Sequence, residues 1–174
     1  MISKLLAKYG SDKVPRGKER GHSYGPFYDE LFSHNPTDIL EVGVHFGYSV
    51  SAWCEAFLEA RIVGIDIDPI FKGKEPKNFY YLKFDVKNCN FAPLVKFDII
   101  IDDGSHLKED QMWVIENLSK HLKENGKLVI EDIQVYEYLE DFKKVVPKGF
   151  KMEVVDLRGV QGWTDDLLAV ISRI

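Results

Sequence analysis

Asp38-Ile-Leu-Glu41-Val-Gly43-Val44-His-Phe-Gly47-Tyr-Ser49 is a short apolar run that passes directly into a glycine-punctuated turn. Near-continuous apolarity over four to six residues marks a strand buried on both faces. Glycines beyond it let the backbone turn sharply and approach a ligand. Residues 49–58 then place Val50, Trp53, Cys54, Phe57 and Leu58 on one helical stripe. Three further runs share this character and also end in acids: 61–66, 97–102 and 127–132. A fifth, 79–85, is more amphipathic. Helical spacing returns over 110–122 through Met112, Ile115, Leu118 and Leu122, with Asn125-Gly126 expected to close that helix. It returns again over 136–145, stopped by Pro147 and Gly149. Strand-like runs at 150–157 and 166–174 follow, joined by a loop around Gly159, Gly162 and Trp163.

Strand alternating with helix means a mostly parallel sheet covered on both faces. The last two strands lack a helix between them and must pair antiparallel. The expectation is an α/β, doubly wound, Rossmann-like sheet of seven strands ending in an antiparallel hairpin. The connections 66–79 and 85–96 are too short for full helices, so the fold is trimmed.

A chain of 174 residues is the size of one domain, and 45% hydrophobic with 29% charged residues is a globular composition. No apolar run is long enough to span a bilayer and the first residues lack a signal-peptide core, so a cytoplasmic protein is expected. Cys54 and Cys89 lie far apart in no C-x-x-C arrangement, which argues against a disulfide framework or a zinc site. The net charge of -5 disfavours nucleic acid as a partner, since binding it needs clustered Lys and Arg. The stretch from Lys8 to Arg20 is locally basic, and its composition alone reads as a solvated leader.

Ligands of such sheets bind beyond the carboxyl ends of the strands, where strand order reverses. The helix N-terminus after Gly47 offers N–H groups to an anionic ligand group such as a carboxylate. Asp66 is placed to accept hydrogen bonds from a ribose diol, and Asp85 to face an adenine ring. Both also suit ordinary strand-end turns. A nicotinamide dinucleotide would favour G-x-G-x-x-G, and His45 crowds the position where its pyrophosphate would lie. A second set of acids, Asp102-Asp103-Gly104-Ser105-His106 and Glu131-Asp132, ends the fourth and fifth strands. If those strands are neighbours, their tips lie roughly 5 Å apart. Converging carboxylates repel unless protonated or neutralised by a cation. Oxygen ligands of this kind select Mg²⁺, Mn²⁺ or Ca²⁺ over zinc. The alternative is that these acids cap helices or pair with lysines.

The pattern E-x-G-x-x-x-G-x-S from Glu41 to Ser49 resembles motif I of class I S-adenosylmethionine methyltransferases. Lys8-Tyr-Gly-Ser-Asp12-Lys13, His22-x-Tyr24 and Tyr28-x-x-Leu-Phe32 resemble the leader of the macrolide-sugar O-methyltransferase family, which includes cephalosporin-hydroxylase-like proteins. Ile101-Asp-Asp-Gly-Ser-His106 and Val129-Ile-Glu-Asp132 are similar to further motifs of that family. The resemblance covers nearly the whole chain. It implies one methyltransferase domain over 1–174, with a helical leader at 1–35 folding over the cofactor as a lid and a Rossmann-like core at 36–174. It implies S-adenosylmethionine contacts from Lys13 and Tyr24 at the methionine end, and from Glu41, Gly43, Val44, Gly47, Ser49, Asp66, Ile67, Asp85, Val86 and Asp102. It implies a magnesium ion, or manganese, held by Asp103, Glu131 and Asp132, with His106 as general base. The expected reaction is methylation of a sugar hydroxyl in a glycan or glycoside.

Tyr136, Tyr138 and Trp163 lie on segments that could wall an acceptor pocket, with Trp163 best suited to stack on a sugar face. His45 has no assigned role, and His22, His34 and His121 have no chemically telling neighbours in sequence. Macrolide-modifying relatives are longer, so a homo-oligomer or a larger multidomain glycan-modifying protein could complete the acceptor site. Rival readings are a catechol-type O-methyltransferase, a nucleotide-dependent oxidoreductase and a non-catalytic cofactor-binding module. The set Asp103, His106, Glu131 and Asp132 speaks against the last. No 2-His-1-carboxylate triad supports a hydroxylase.

Overall fold

A computed structural model describes residues 1–17, 20–68, 76–89 and 91–174. Among them, seven strands form one sheet: β1 (Asp38–Val42), β2 (Arg61–Asp66), β3 (Phe79–Lys83), β4 (Phe97–Asp102), β5 (Leu122–Ile130), β6 (Phe150–Asp156) and β7 (Leu167–Arg173). Their order is β3-β2-β1-β4-β5-β7-β6. The first five strands run parallel, and β7 lies antiparallel between β5 and β6. This is the doubly wound sheet with an antiparallel end that the strand pattern predicts. Most of the connection 66–79 lies outside the described residues.

The helices are α1 (Ile2–Tyr9), α2 (Gly25–Leu31), α3 (Tyr48–Ala56), α4 (Lys108–Leu118), α5 (Tyr138–Val145) and the single turn α6 (Arg158–Gln161). β1, β2 and β4 are largely apolar because both faces are covered, whereas the edge strands β3 and β6 are amphipathic and partly exposed. Ile39, Ile62, Ile99, Ile101 and Val129 join a core with α1, α2 and α3, built around Leu6, Tyr28, Phe32 and Trp53. Leu40, Val63, Ile100, Leu128 and Ile130 face the opposite core, with Val114 and Ile115 of α4 and Phe142 of α5. The leader is therefore one of the two layers on the sheet. Gly10 closes α1 in the left-handed conformation, its N–H donating back to Ala7 and Leu6, and Pro26 opens α2.

Asn125-Gly126 does not end a helix: α4 stops at Leu118, a 3₁₀ turn over Ser119–His121 follows, and β5 has already begun at Leu122. The pairing of β4 with β5 shifts register between Phe97 and Ile99, so Asn125-Gly126 lies in an irregular stretch of strand. A Cβ on Gly126 would come within 2.8 Å of the Phe97 carbonyl oxygen, so close backbone approach explains the glycine. Cys54 is buried, Cys89 half-buried, and both are free. Among the described residues no helix is long and apolar enough to cross a membrane.

Candidate active site

Strand order reverses between β1 and β4, and the loops leaving these strands meet there. Gly43 takes φ +85°, and a Cβ on it would lie 1.8 Å from the Asp103 carbonyl oxygen. The Asp103 N–H donates to the Val42 carbonyl (2.8 Å), tying the two loops together. The chain then turns through a Gly47 N–H to Val44 C=O bond (2.7 Å) and enters α3.

A cleft of about 370 Å³ opens at this point, lined by Gly43, Asp66, Ile67, Asp85, Val86 and Asp102 among others. It adjoins a second of about 400 Å³, lined by Asp12, Val44, Ser49, His106 and Asp132, and the two share Gly43, His45, Asp103 and Gly104. Asp66 Oδ2 accepts from the backbone N–H groups of Val44 and His45, both at 2.8 Å. Asp85 accepts from Lys87 N–H at 2.9 Å. Asp66 thus braces the turn after β1 and Asp85 its own turn, while both also line the cleft. Burial and the neighbouring Asp103 charge push the Asp102 carboxyl up to about 8.

Glu41 lines neither cleft. It is wholly buried, accepting from Ser49 Oγ (2.7 Å) and Trp53 Nε1 (2.8 Å), with Lys13 Nζ at 3.7 Å. Burial raises its carboxyl to about 7 against the pull of Lys13. Ser49→Ala is expected to cost about 1–3 kcal/mol, because a buried carboxylate oxygen loses its donor. Chemical denaturation measures it, and an unchanged midpoint would show that the hydroxyl is not needed there.

The leader supplies the partners of the second acid set. Lys13, 2% exposed, reaches Asp103 Oδ2 (2.6 Å) and also bonds Glu131. Burial alone would lower its pKa, but Asp103, Glu131 and Glu41 outweigh it and hold the ammonium well above the ordinary lysine value. The other Glu131 oxygen accepts from Tyr28 Oη. Tyr24 Oη donates to Asp132 Oδ1 at 2.5 Å. Lys13 and Tyr24, expected at the cofactor's methionine end, line neither cleft and sit among these carboxylates. The cause is burial: a lysine and tyrosines packed under α1–α3 must find acceptors, and the strand tips provide them.

Asp103, His106 and Asp132 offer ligand atoms all within 4.8 Å of one another. His106 Nε2 lies 3.9 Å from Asp103 Oδ1 and 3.8 Å from Asp132 Oδ2. His45, His106 and Asp132 all have positive φ, an unfavourable backbone state held only where surroundings enforce it. Burial and the Asp103 charge raise the Asp132 carboxyl. Two carboxylates facing one opening, with negative charge in excess, fit a hard divalent cation. Glu131 differs from the expected third ligand, because both its oxygens already bond Lys13 and Tyr28.

Trp163, expected to present a sugar-stacking face, has the Arg20 guanidinium 4.8 Å from its ring centroid. Arg158 similarly covers Tyr136 at 4.7 Å, and Lys108 lies 5.4 Å from the Tyr138 ring. By sequence, His22 and Tyr28 belong only to the leader motifs, without a site role, and Asp166 is not singled out. A legible signal existed for the tyrosines, since Tyr24 and Tyr28 are four residues apart and so share a helix face.

A family model described as a methyltransferase domain matches residues 40–133. The 8-demethyl-8-(2-methoxy-alpha-L-rhamnosyl)-tetracenomycin-C 3'-O-methyltransferase of Streptomyces olivaceus is 29% identical over 76% of this chain and 36% of its own length. The mycinamicin VI 2''-O-methyltransferase of Micromonospora griseorubida is 29% identical over 64% of this chain and 32% of its own. The chain thus spans about a third of the length of these curated relatives. Among solved structures, MycE methyltransferase from the mycinamycin pathway, in complex with Mg, SAH and mycinamycin VI, superposes with a TM-score of 0.72. That match has 20% identity and covers 99% of this chain and 54% of the other. A matched segment running from within β1 to just past β5 holds most of the lining of both clefts and the acids between them, and with that segment the chain belongs to the methyltransferase domain family, on a class I methyltransferase fold.

Proposed function

We propose that this chain methylates a hydroxyl of a sugar carried by a glycan or glycoside, using a divalent cation, magnesium by preference, and His106 as general base. The observation that carries this is the convergence of Asp103, His106 and Asp132 at the junction of the two clefts. The names of the relatives, O-methyltransferases acting on rhamnosyl tetracenomycin and on mycinamicin VI, support the substrate class.

The adenosine of S-adenosylmethionine would occupy the cleft lined by Asp66, Ile67, Asp85 and Val86. Gly43, Val44 and Ser49 would face its methionine end, with Gly47 setting the turn. Acids around the junction favour a cationic sulfonium, whose methyl is already electrophilic, so the protein's task is alignment. Asp103 and Asp132 would hold the cation, and Glu131 could join them once the oxygen that bonds Lys13 is freed. When bound, such an ion lowers the pKa of an alcohol and fixes its angle. His106 Nε2 faces the same opening and would take the hydroxyl proton as the new C–O bond forms and the methyl C–S bond breaks, its electron pair staying on the sulfur of S-adenosylhomocysteine. Residues 1–174 would act as one catalytic unit, with a further copy or domain completing the acceptor side.

Calorimetric titration of S-adenosylmethionine, with Mg²⁺ and with EDTA, followed by assays on rhamnosides and other glycosides, tests the proposal. His106→Ala is expected to lower kcat by about 10²–10⁴ while donor affinity holds. Donor binding without transfer to any glycoside, but with transfer to catechols, would replace the sugar acceptor by an aromatic diol.

A further inference from the structure

We propose that His22 and Tyr24, anchored by Asp166, are positioning residues that hold the Asp132 carboxylate in its working orientation, which rests on the reading of Asp103 and Asp132 as cation ligands. Asp132 follows β5 with φ +53°, a backbone state that an aspartate keeps only when its surroundings determine it. The backbone on either side is held by the Glu131 N–H to the Asp102 carbonyl (3.0 Å) and the Ile133 N–H to the Leu167 carbonyl (3.2 Å), and the carboxylate itself is held by the leader. Tyr24 Oη donates to Asp132 Oδ1 at 2.5 Å and lies 3.0 Å from the Asp165 carbonyl oxygen. His22 Nε2 lies 3.6 Å from Asp132 Oδ2, and the His22 ring stacks on Tyr24, with centroids 4.8 Å apart and planes 17° from parallel.

The pair is itself pinned. His22 Nδ1 lies 2.7 Å from Oδ1 of Asp166, a wholly buried residue on the turn that enters β7. Among the described residues, His106, at 3.8 Å, and Asp103, within 4.8 Å, also face Asp132, and neither is in hydrogen-bond contact with it. Tyr24 therefore supplies the hydrogen bond, and His22 supplies the wall that keeps Tyr24 in place. Residues that orient a ligating carboxylate are worth much of the ligand itself, because a misdirected oxygen is lost to the ion.

Two substitutions separate positioning from packing. Tyr24→Phe removes one hydroxyl. His22→Asn leaves an amide where Nδ1 meets Asp166 and removes the Nε2 edge and the stacked ring. Mg²⁺ alone and S-adenosylmethionine alone are titrated calorimetrically into the full chain and each variant, with the thermal midpoint of each recorded. The expected result is a fall in Mg²⁺ affinity of about 10–100-fold in both variants, with donor affinity unchanged. Folded variants that bind Mg²⁺ as the parent does would overturn the inference and leave the proposed function standing. A loss of donor affinity with Mg²⁺ binding intact would make Tyr24 a cofactor contact, also overturning it. A parent chain that binds no Mg²⁺ would remove the cation reading, and this inference with it.

Discussion

Replacing Lys13 with methionine is expected to lower stability by about 3–5 kcal/mol near neutral pH, the cost of removing one member of a buried ion cluster. The methionine fills similar volume, so the loss is electrostatic. Asp103, Glu131 and Glu41 keep their places around an ammonium that is no longer there. The sign of the pH dependence follows. The Lys13 pKa is raised on folding, so in the parent its contribution is fully present below the ordinary lysine value and is lost only as pH rises through the folded one. In the variant the uncompensated carboxylates gain protons on folding, so its deficit shrinks as pH falls toward the ordinary carboxylate range. Urea denaturation at pH 5 and pH 8 should show the larger gap at pH 8. Mg²⁺ should also stabilise Lys13→Met more than the parent, since Glu131 is released and folded-state binding raises stability. Equal stability of the two proteins at pH 8 would show that Lys13 does not neutralise this cluster.

The second large effect is at Gly43. Gly43→Ala puts a methyl group 1.8 Å from the Asp103 carbonyl oxygen at φ +85°, so strain and overpacking act together. The expected cost is about 2–6 kcal/mol. Because the displaced backbone carries Asp103 and Gly104, which belong to both clefts, donor binding should be lost even in protein that remains folded. Gly10→Ala is the control. Gly10 has φ +78° but nothing within 4 Å of the added carbon, so only the backbone term of about 1–2 kcal/mol applies. Calorimetry of the donor on both variants separates the cases. Donor affinity retained in Gly43→Ala would mean that the two loops can part without harm to the cofactor cleft.

Both effects depend on how the ends of β1 and β4 meet, and the sequence carries half of that arrangement openly. β1, β2 and β4 have the boundaries their apolar runs predict. Such runs are legible because a strand covered on both faces must be apolar at successive positions. The acids that close them are legible for the complementary reason: Asp66, Asp102 and Glu131 stand where the chain leaves the sheet, whereas Glu41 and Asp98 lie within β1 and β4. Asn125-Gly126 was misleading because the same dipeptide serves a helix end and an irregular strand. Only the neighbouring Phe97 backbone distinguishes them here.

By itself, then, the sequence determined the seven-strand doubly wound sheet, the glycine turn after Glu41 and the acids at the tips of β4 and β5, because each depends on neighbours close along the chain. The tertiary structure decided which partner each acid takes. Lys13 bonds Glu131 across 118 residues, Tyr28 reaches the same carboxylate across 103, and Tyr24 reaches Asp132 across 108. No local pattern encodes these choices. A charged or hydroxyl group buried under the helices cannot stay unpaired, and the acceptor it finds is set by where the leader docks on the sheet.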